Sequence, residues 1–197
     1  MQSAQEITII RFQVFSWSTL YSRRANFYYG LHLPYKGTGA GKTTNALGLA
    51  LRSVGHNQKV IIIQFMKAHK DTGEVKITRK LKPYYSITPV GRKGWINFKR
   101  PDAKDIAAVA KGMELARKAL KTKPNLLVLD ELGLAAWGKL VKTKDVIALL
   151  KAVPKKTNVV ITGRYVPKEL ECHTDFVNEI KEVRYPKKMI AVKGINW

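Results

Sequence analysis

The chain has 197 residues, 45% apolar and 25% charged, which suits a globular unit large enough to bury a core. It contains no apolar run of the roughly 18 residues a membrane span needs. Its single cysteine, Cys172, excludes an internal disulfide framework and fits a reducing, cytoplasmic setting, and its 4 histidines lack zinc-like spacing.

The first 26 residues read as an N-terminal arm or extension. "ITIIRFQVFSWSTLYSRRANFYYG" is aromatic-rich, its arginines lack the periodicity of an organelle-targeting helix, and no cleavage-site pattern marks a secretory signal. From residue 27 to 197 the pattern predicts one α/β nucleotide-binding domain. "FYYGLHL" is the candidate first strand. "KTTNALGLALRSVG" carries apolar residues at helical spacing and closes on Gly55. "KVIIIQFM", "NLLVLDE" and "TNVVITG" are continuous apolar runs, as strands buried on both faces must be. "DAKDIAAVAKGMELARKALKT" begins with an Asp cap and stops before Pro124, which predicts a long helix. "TKDVIALLKAV" and "PKELECHTD" are further helices, and "VNEIKEVRY" alternates like an edge strand. This alternation predicts a mostly parallel sheet with helices on both faces, the P-loop NTPase-like arrangement.

The chemistry concentrates in "PYKGTGAGKTT", residues 34–44. A standard phosphate-binding loop reads Gly, four residues, then Gly-Lys-Ser/Thr. Here the first glycine position holds Lys36, and glycines fall at 37, 39 and 41, so the loop is one residue tighter. It lies between a predicted strand and a predicted helix, the context such a loop requires. Glycines let the backbone approach phosphate, and the amides of the loop and helix start face the anion. Lys42 can neutralise phosphates and the Thr43 hydroxyl can complete a Mg²⁺ shell. Asp130 and Glu131 end a buried strand where ligands of open α/β sheets collect, and either carboxylate can hold Mg²⁺. Gly163 and Arg164 follow another buried strand, which makes Arg164 a candidate phosphate contact or a surface turn residue.

The run "YKGTGAGKTTNALGLALRSVGH", then "VIIIQFMK", "TGE", "LLVLDEL", "VITGR" and "MIAVKGINW", resembles the P-loop ATP:corrinoid adenosyltransferases over roughly residues 30 to 197. That family's loop reads Gly-x-Gly-x-Gly-Lys-Thr-Thr/Ser. The resemblance implies transfer of the 5′-deoxyadenosyl group of ATP to a reduced corrinoid, with release of triphosphate. The nucleophile is then Co(I) itself, and the chain offers no convincing Ser, Cys or His triad to compete with it. The resemblance further implies that Thr38, Gly39, Ala40, Gly41, Lys42, Thr43 and Thr44 hold the polyphosphate, with Arg52 as a further contact. Thr43 and Glu131 would ligate Mg²⁺, with Asp130 close by. A homodimer and a flavoprotein reductase partner follow from the same likeness.

On the corrinoid side the family places two aromatic residues that press on the lower corrin face and exclude the axial ligand. The matching stretch here is "VGRKGWINFKRPD", giving Trp95 and Phe98 in an order and spacing that differ from the family's. Ala40 stands where the family loop often has Lys, and Lys36 could compensate. The tail lacks the family's first Gly, its Gln and its Glu.

Two other readings stay open. The net charge of +22 suits a P-loop ATPase acting on nucleic acid, although the basic residues are spread along the chain instead of clustered. Ala40 and the altered tail suit a non-catalytic corrinoid or nucleotide carrier.

Overall fold

A computed structural model of the chain describes residues 30–184, 188 and 190–195; the arm read at 1–26 lies outside them. In chain order the elements are β1 (His32–Lys36), α1 (Lys42–Gly55), β2 (Val60–Phe65), α2 (Gly73–Lys76) with a 3-10 turn (Ile77–Arg79), β3 (Tyr85–Val90), α3 (Ala103–Lys121), β4 (Leu126–Asp130), α4 (Leu132–Trp137), α5 (Thr143–Lys151), β5 (Asn158–Thr162), α6 (Lys168–Glu171) and β6 (Asn178–Glu179). The strands form one sheet in the order β3-β2-β4-β5-β1-β6. Every neighbouring pair is parallel, so all strands end at the same edge.

Successive residues of a strand point to opposite faces, so each central strand serves two cores. On one face Ile63, Phe65, Leu127, Leu129, Val159 and Ile161 pack with α3, α4 and α5 through Val109, Met113, Ala116, Leu132, Val146 and Leu149. On the other, Val60, Ile62, Leu126, Val128 and Val160 meet Ala46 and Ala50 of α1. This double burial explains why these strands read as unbroken apolar runs. Burying each Leu or Ile side chain stabilises the fold by roughly 1.5–3 kcal/mol before its entropy cost.

Helix α1 spans the same residues the sequence predicted, and α3 starts where expected, with Asp102 Oδ1 accepting from Lys104 N at 2.8 Å. Four local differences have physical causes. The first strand is His32–Lys36, two residues later than Gly30 and including Pro34; residues 27–29 of the predicted span 27–33 lie outside the described residues. Leu31 and Tyr35 carbonyls accept from β5, while the His32 and Lys36 carbonyls accept from 175–176 and 180 on the other side. By this alternation Pro34 turns its missing N–H toward β6, which pairs only from Tyr35 onward, so no ladder bond is lost. Strand β3 escaped the sequence reading because it lies at the sheet edge, alternates in burial and contains Pro89. Helix α4 has only 6 residues and no side-chain cap, so it carries little local signal. Of the predicted strand 177–185, the described residues 177–184 contribute an edge strand of just 2 residues.

Candidate nucleotide site at the carboxyl edge of the sheet

The loop 37–41 closes β1 onto α1. Lys36 is the last residue of β1, paired with Glu179, which is why no glycine is needed at that position. Its ammonium is 2.7 Å from Glu171 Oε1, so it does not replace the charge absent at Ala40. Gly37 has φ 113°, and a Cβ there would lie 2.3 Å from the Ile180 carbonyl oxygen. Gly41 also needs its left-handed φ of 109°, yet nothing lies within 4 Å of a Cβ placed there, so that side of the turn is open. Gly37 N donates to Arg164 O (3.1 Å) and Gly39 N to Ile180 O (2.9 Å), so two loop amides already serve the protein. The amides of Lys42, Thr43 and Thr44 have no intrahelical acceptor by helix geometry, and no side chain caps α1. These are the donors suited to an anion. Thr38, Ala40 and Thr44 are exposed around them.

Lys42 Nζ donates to Gly37 O at 2.8 Å and Gly39 O at 2.7 Å, folding its ammonium over the loop. Burial pulls its pKa below the ordinary lysine value and Arg164 adds to that, while Glu131 and Asp130 oppose it. Arg164 therefore stands close enough for its charge to be felt, although its side chain is exposed.

Beneath the helix start, sheet register builds a polar cluster. Gln64 pairs with Asp130 across β2 and β4, and Thr162 ends β5 one position beyond the Leu129–Ile161 pair. All three continue the row Ile62–Val128–Val160 and are buried, so the α1-facing core turns polar at its carboxyl end. Asp130 Oδ1 accepts from Thr43 Oγ1 (2.9 Å) and Thr162 Oγ1 (2.6 Å). Its Oδ2 accepts from Lys67 Nζ (2.7 Å) and Gln64 Nε2 (3.2 Å). Lys67 Nζ also lies 3.1 Å from Thr43 Oγ1.

Glu131 takes a left-handed backbone at φ 65° and its N–H donates to Thr162 Oγ1 at 2.9 Å. A non-glycine residue there costs about 1–3 kcal/mol, a strain that concentrates at functional sites. Burial raises the Glu131 pKa and Asp130 adds to the effect; Lys67, Lys42 and Arg164 counter it. Its Oε2 is buried with no hydrogen-bond partner among the described residues. A hydroxyl, a carboxylate saturated by four donors and a carboxylate with an unpartnered buried oxygen form an all-oxygen set that fits Mg²⁺.

Of the other sequence-derived candidates, Arg52 is not brought here. It sits exposed in the last turn of α1, ten residues and about 15 Å along the axis from Lys42. There its charge complements the carboxyl end of the helix dipole. Trp95 and Phe98 lie in the 91–102 loop, which leaves β3 at the same sheet edge. Trp95 is fully exposed at 101%, whereas Phe98 packs on the core and meets Trp137 edge-on at 6.3 Å. Trp137 in turn lies over Tyr165 at 4.5 Å. The loop's other anchor is Arg92, which reaches the buried Asp105 through Nε (2.5 Å) and Nη2 (2.8 Å).

Sequence reading missed Gln64, Lys67, Thr162, Trp137 and Tyr165. Gln64 and Thr162 do leave a signal, a lone polar residue near the carboxyl end of an apolar run, as Asp130 does. Lys67 closes the run "VIIIQFMK", yet nothing local marks it as the partner of Asp130, 63 positions away.

A parallel sheet with a glycine loop between β1 and α1 and a hydroxyl–carboxylate pair at its edge defines a P-loop nucleotide-binding protein. A KaiC-like protein from Pyrococcus horikoshii shares this fold, with TM-score 0.54 and 15% identity over 83% of this chain and 77% of that one. The family model ATP:corrinoid adenosyltransferase BtuR/CobO/CobP matches residues 29–197, and the chain belongs to that family. A corrinoid adenosyltransferase of Pseudomonas aeruginosa is 30% identical over 171 residues, 85% of this chain and 84% of its own. One from Salmonella typhimurium is 30% identical over 156 residues, 79% of each chain.

Proposed function

We propose that this chain is an enzyme that transfers the 5′-deoxyadenosyl group of ATP to the Co(I) centre of a reduced corrinoid and releases triphosphate. The cobalt–carbon bond forms as the bond from C5′ to the triphosphate oxygen breaks, and the electron pair leaves on that oxygen. The observation that carries the reading is the tightened loop with Lys42 and Thr43 standing over the buried Asp130 cluster. It supplies electrostatics and positioning without a protein nucleophile, which is what a substrate-borne nucleophile requires.

In this reading the amides of Lys42, Thr43 and Thr44 bind phosphate oxygens, with Thr38, Gly39, Ala40 and Gly41 shaping the cradle. Lys42 leaves the loop carbonyls to meet charge on the departing triphosphate, and Arg164 supports it. Thr43 and Glu131 would hold Mg²⁺, with Asp130 orienting the Thr43 hydroxyl. Bound there, Mg²⁺ neutralises polyphosphate charge and strengthens triphosphate as a leaving group. Trp95 covers the corrin, and Phe98 fixes the loop that presents it. Residues 27–197 act as one nucleotide- and corrinoid-binding domain in the cytoplasm. A homodimer and a flavoprotein reductase partner rest on the family resemblance. No helix among the described residues is long and apolar enough to cross a membrane.

The test is to incubate purified protein with chemically reduced cobalamin and MgATP without oxygen. The expected product is light-sensitive adenosylcobalamin; no product beside a working control enzyme overturns the reading. ATP and cobalamin binding without turnover would make the chain a carrier.

A further inference from the structure

The Lys67 ammonium sits between Asp130 Oδ2 and Thr43 Oγ1, the hydroxyl that the reading above gives to the ion. Its placement is built into the backbone. Met66, the residue before it, is held left-handed at φ 58°, and its N–H donates to Val90 O at 2.9 Å. Gly91 packs so closely that a Cβ there would be 2.6 Å from Lys67 N. The turn after β2 therefore aims the side chain at β4. Asp130 is buried at 1% exposure, and a buried carboxylate needs a compensating cation. Lys67 is the one cation in ion-pair contact with it among the described residues. Lys42, which sequence reading favours, bonds instead to the Gly37 and Gly39 carbonyls.

We propose that Lys67 is a built-in cation that holds the divalent-metal seat in the nucleotide-free protein and passes to the polyphosphate when metal and nucleotide enter together. The inference rests on the MgATP reading above and adds an order of binding. Lys67 and a divalent ion both draw on the Thr43 oxygen and repel one another, so metal alone cannot displace the ammonium at low cost. A polyphosphate offers Lys67 new acceptors, which frees the Thr43 lone pairs for an ion held together with Glu131. Lys67 is thus a positioning residue for the metal and a direct contact for phosphate.

The test follows Mn²⁺ by the electron paramagnetic resonance signal of the free ion, with nucleotide-free protein and with ATP, the latter read against the same ATP without protein. Wild type should take up Mn²⁺ strongly only with ATP. Lys67→Met should bind Mn²⁺ without ATP about tenfold or more tightly than wild type, because Asp130 then lacks its counter-charge. Lys67→Arg should exclude the ion as wild type does. Inorganic triphosphate should bind Lys67→Met about tenfold more weakly at saturating Mg²⁺. Gln64, Thr43 and Thr162 still satisfy Asp130 in the Met variant, and Lys67→Gln repeats the test with a polar head should Met fail to fold. Equal Mn²⁺ affinity of wild type and variants without nucleotide overturns the proposal, as does unchanged triphosphate affinity. Failure of wild type to take up Mn²⁺ even with ATP would instead overturn the MgATP reading.

Discussion

The two halves of the site, both at the carboxyl edge of the sheet, are built in opposite ways. The phosphate half is set by strand register: Gln64, Asp130 and Thr162 are buried and in line, so each Asp130 oxygen meets two donors. The aromatic half is a loop held at separated points, by Arg92 on Asp105 and Phe98 on Trp137, with Trp95 wholly exposed between them. A register-built site cannot drift without unpairing the sheet, whereas a pinned loop can change length and order and still fold.

The largest expected effect breaks the phosphate half. Lys42→Ala should lower kcat/KM for ATP by about 10²–10³, the scale of losing one charge-stabilising donor. Its melting temperature should stay near wild type, because the Lys42 ammonium bonds to the loop carbonyls of Gly37 and Gly39 and not to the core. Steady-state kinetics with calorimetry checks this; a large loss of stability would show that the loop is structural.

The aromatic half should divide by residue. Trp95→Ala should weaken corrinoid binding by about tenfold, leave ATP affinity unchanged and leave stability intact, as an exposed aromatic platform requires. Phe98→Ala should cost about 2 kcal/mol through lost packing on Trp137 and Gly138, a drop of roughly 4–8 °C in Tm. Paired titrations and thermal melts distinguish the two, and equal stability losses would erase the division of roles.

The smallest effect lies at the loop's first anchor. The Arg92 guanidinium, through its hydrogen bonds, holds the Asp105 carboxyl below the usual carboxylate range. In the unfolded chain the group titrates near ~4. The folded state binds this proton more weakly, so the clamp's stabilisation is complete above that value and lost as pH falls through the lower folded pKa. Asp105→Asn should cost about 1–2 kcal/mol near pH 7, and the gap from wild type should shrink below pH ~4. Melts across that range check the sign.

The same division decides what could be read from the sequence. Helix α1 was legible because its apolar spacing and the glycine loop before it are local signals. Strands β2, β4 and β5 were legible because double burial leaves unbroken apolar runs. Asp130 and Glu131 were visible at the end of such a run, and the family likeness supplied the chemistry. Lys67 was not visible as a site residue: it meets Asp130 only because Gln64 pairs with Asp130 and the turn at Met66 is left-handed. Arg52 illustrates the opposite limit, since proximity in sequence to the loop means little when a helix carries the residue away. The ring contacts of Trp137 with Phe98 and Tyr165 depend on the segments after β3, β4 and β5, helix α4 among them, meeting at one edge, which no single segment displays.

In the proposed reaction the phosphate half presents C5′ of ATP, and not its terminal phosphorus, to the attacking atom. Single-turnover analysis of every nucleotide-derived product tests it most directly, with reduced corrinoid supplied anaerobically. One triphosphate should appear for each adenosylcorrinoid formed, with no nucleotide consumed in the absence of corrinoid. Release of ADP and orthophosphate, with or without corrinoid, would contradict it.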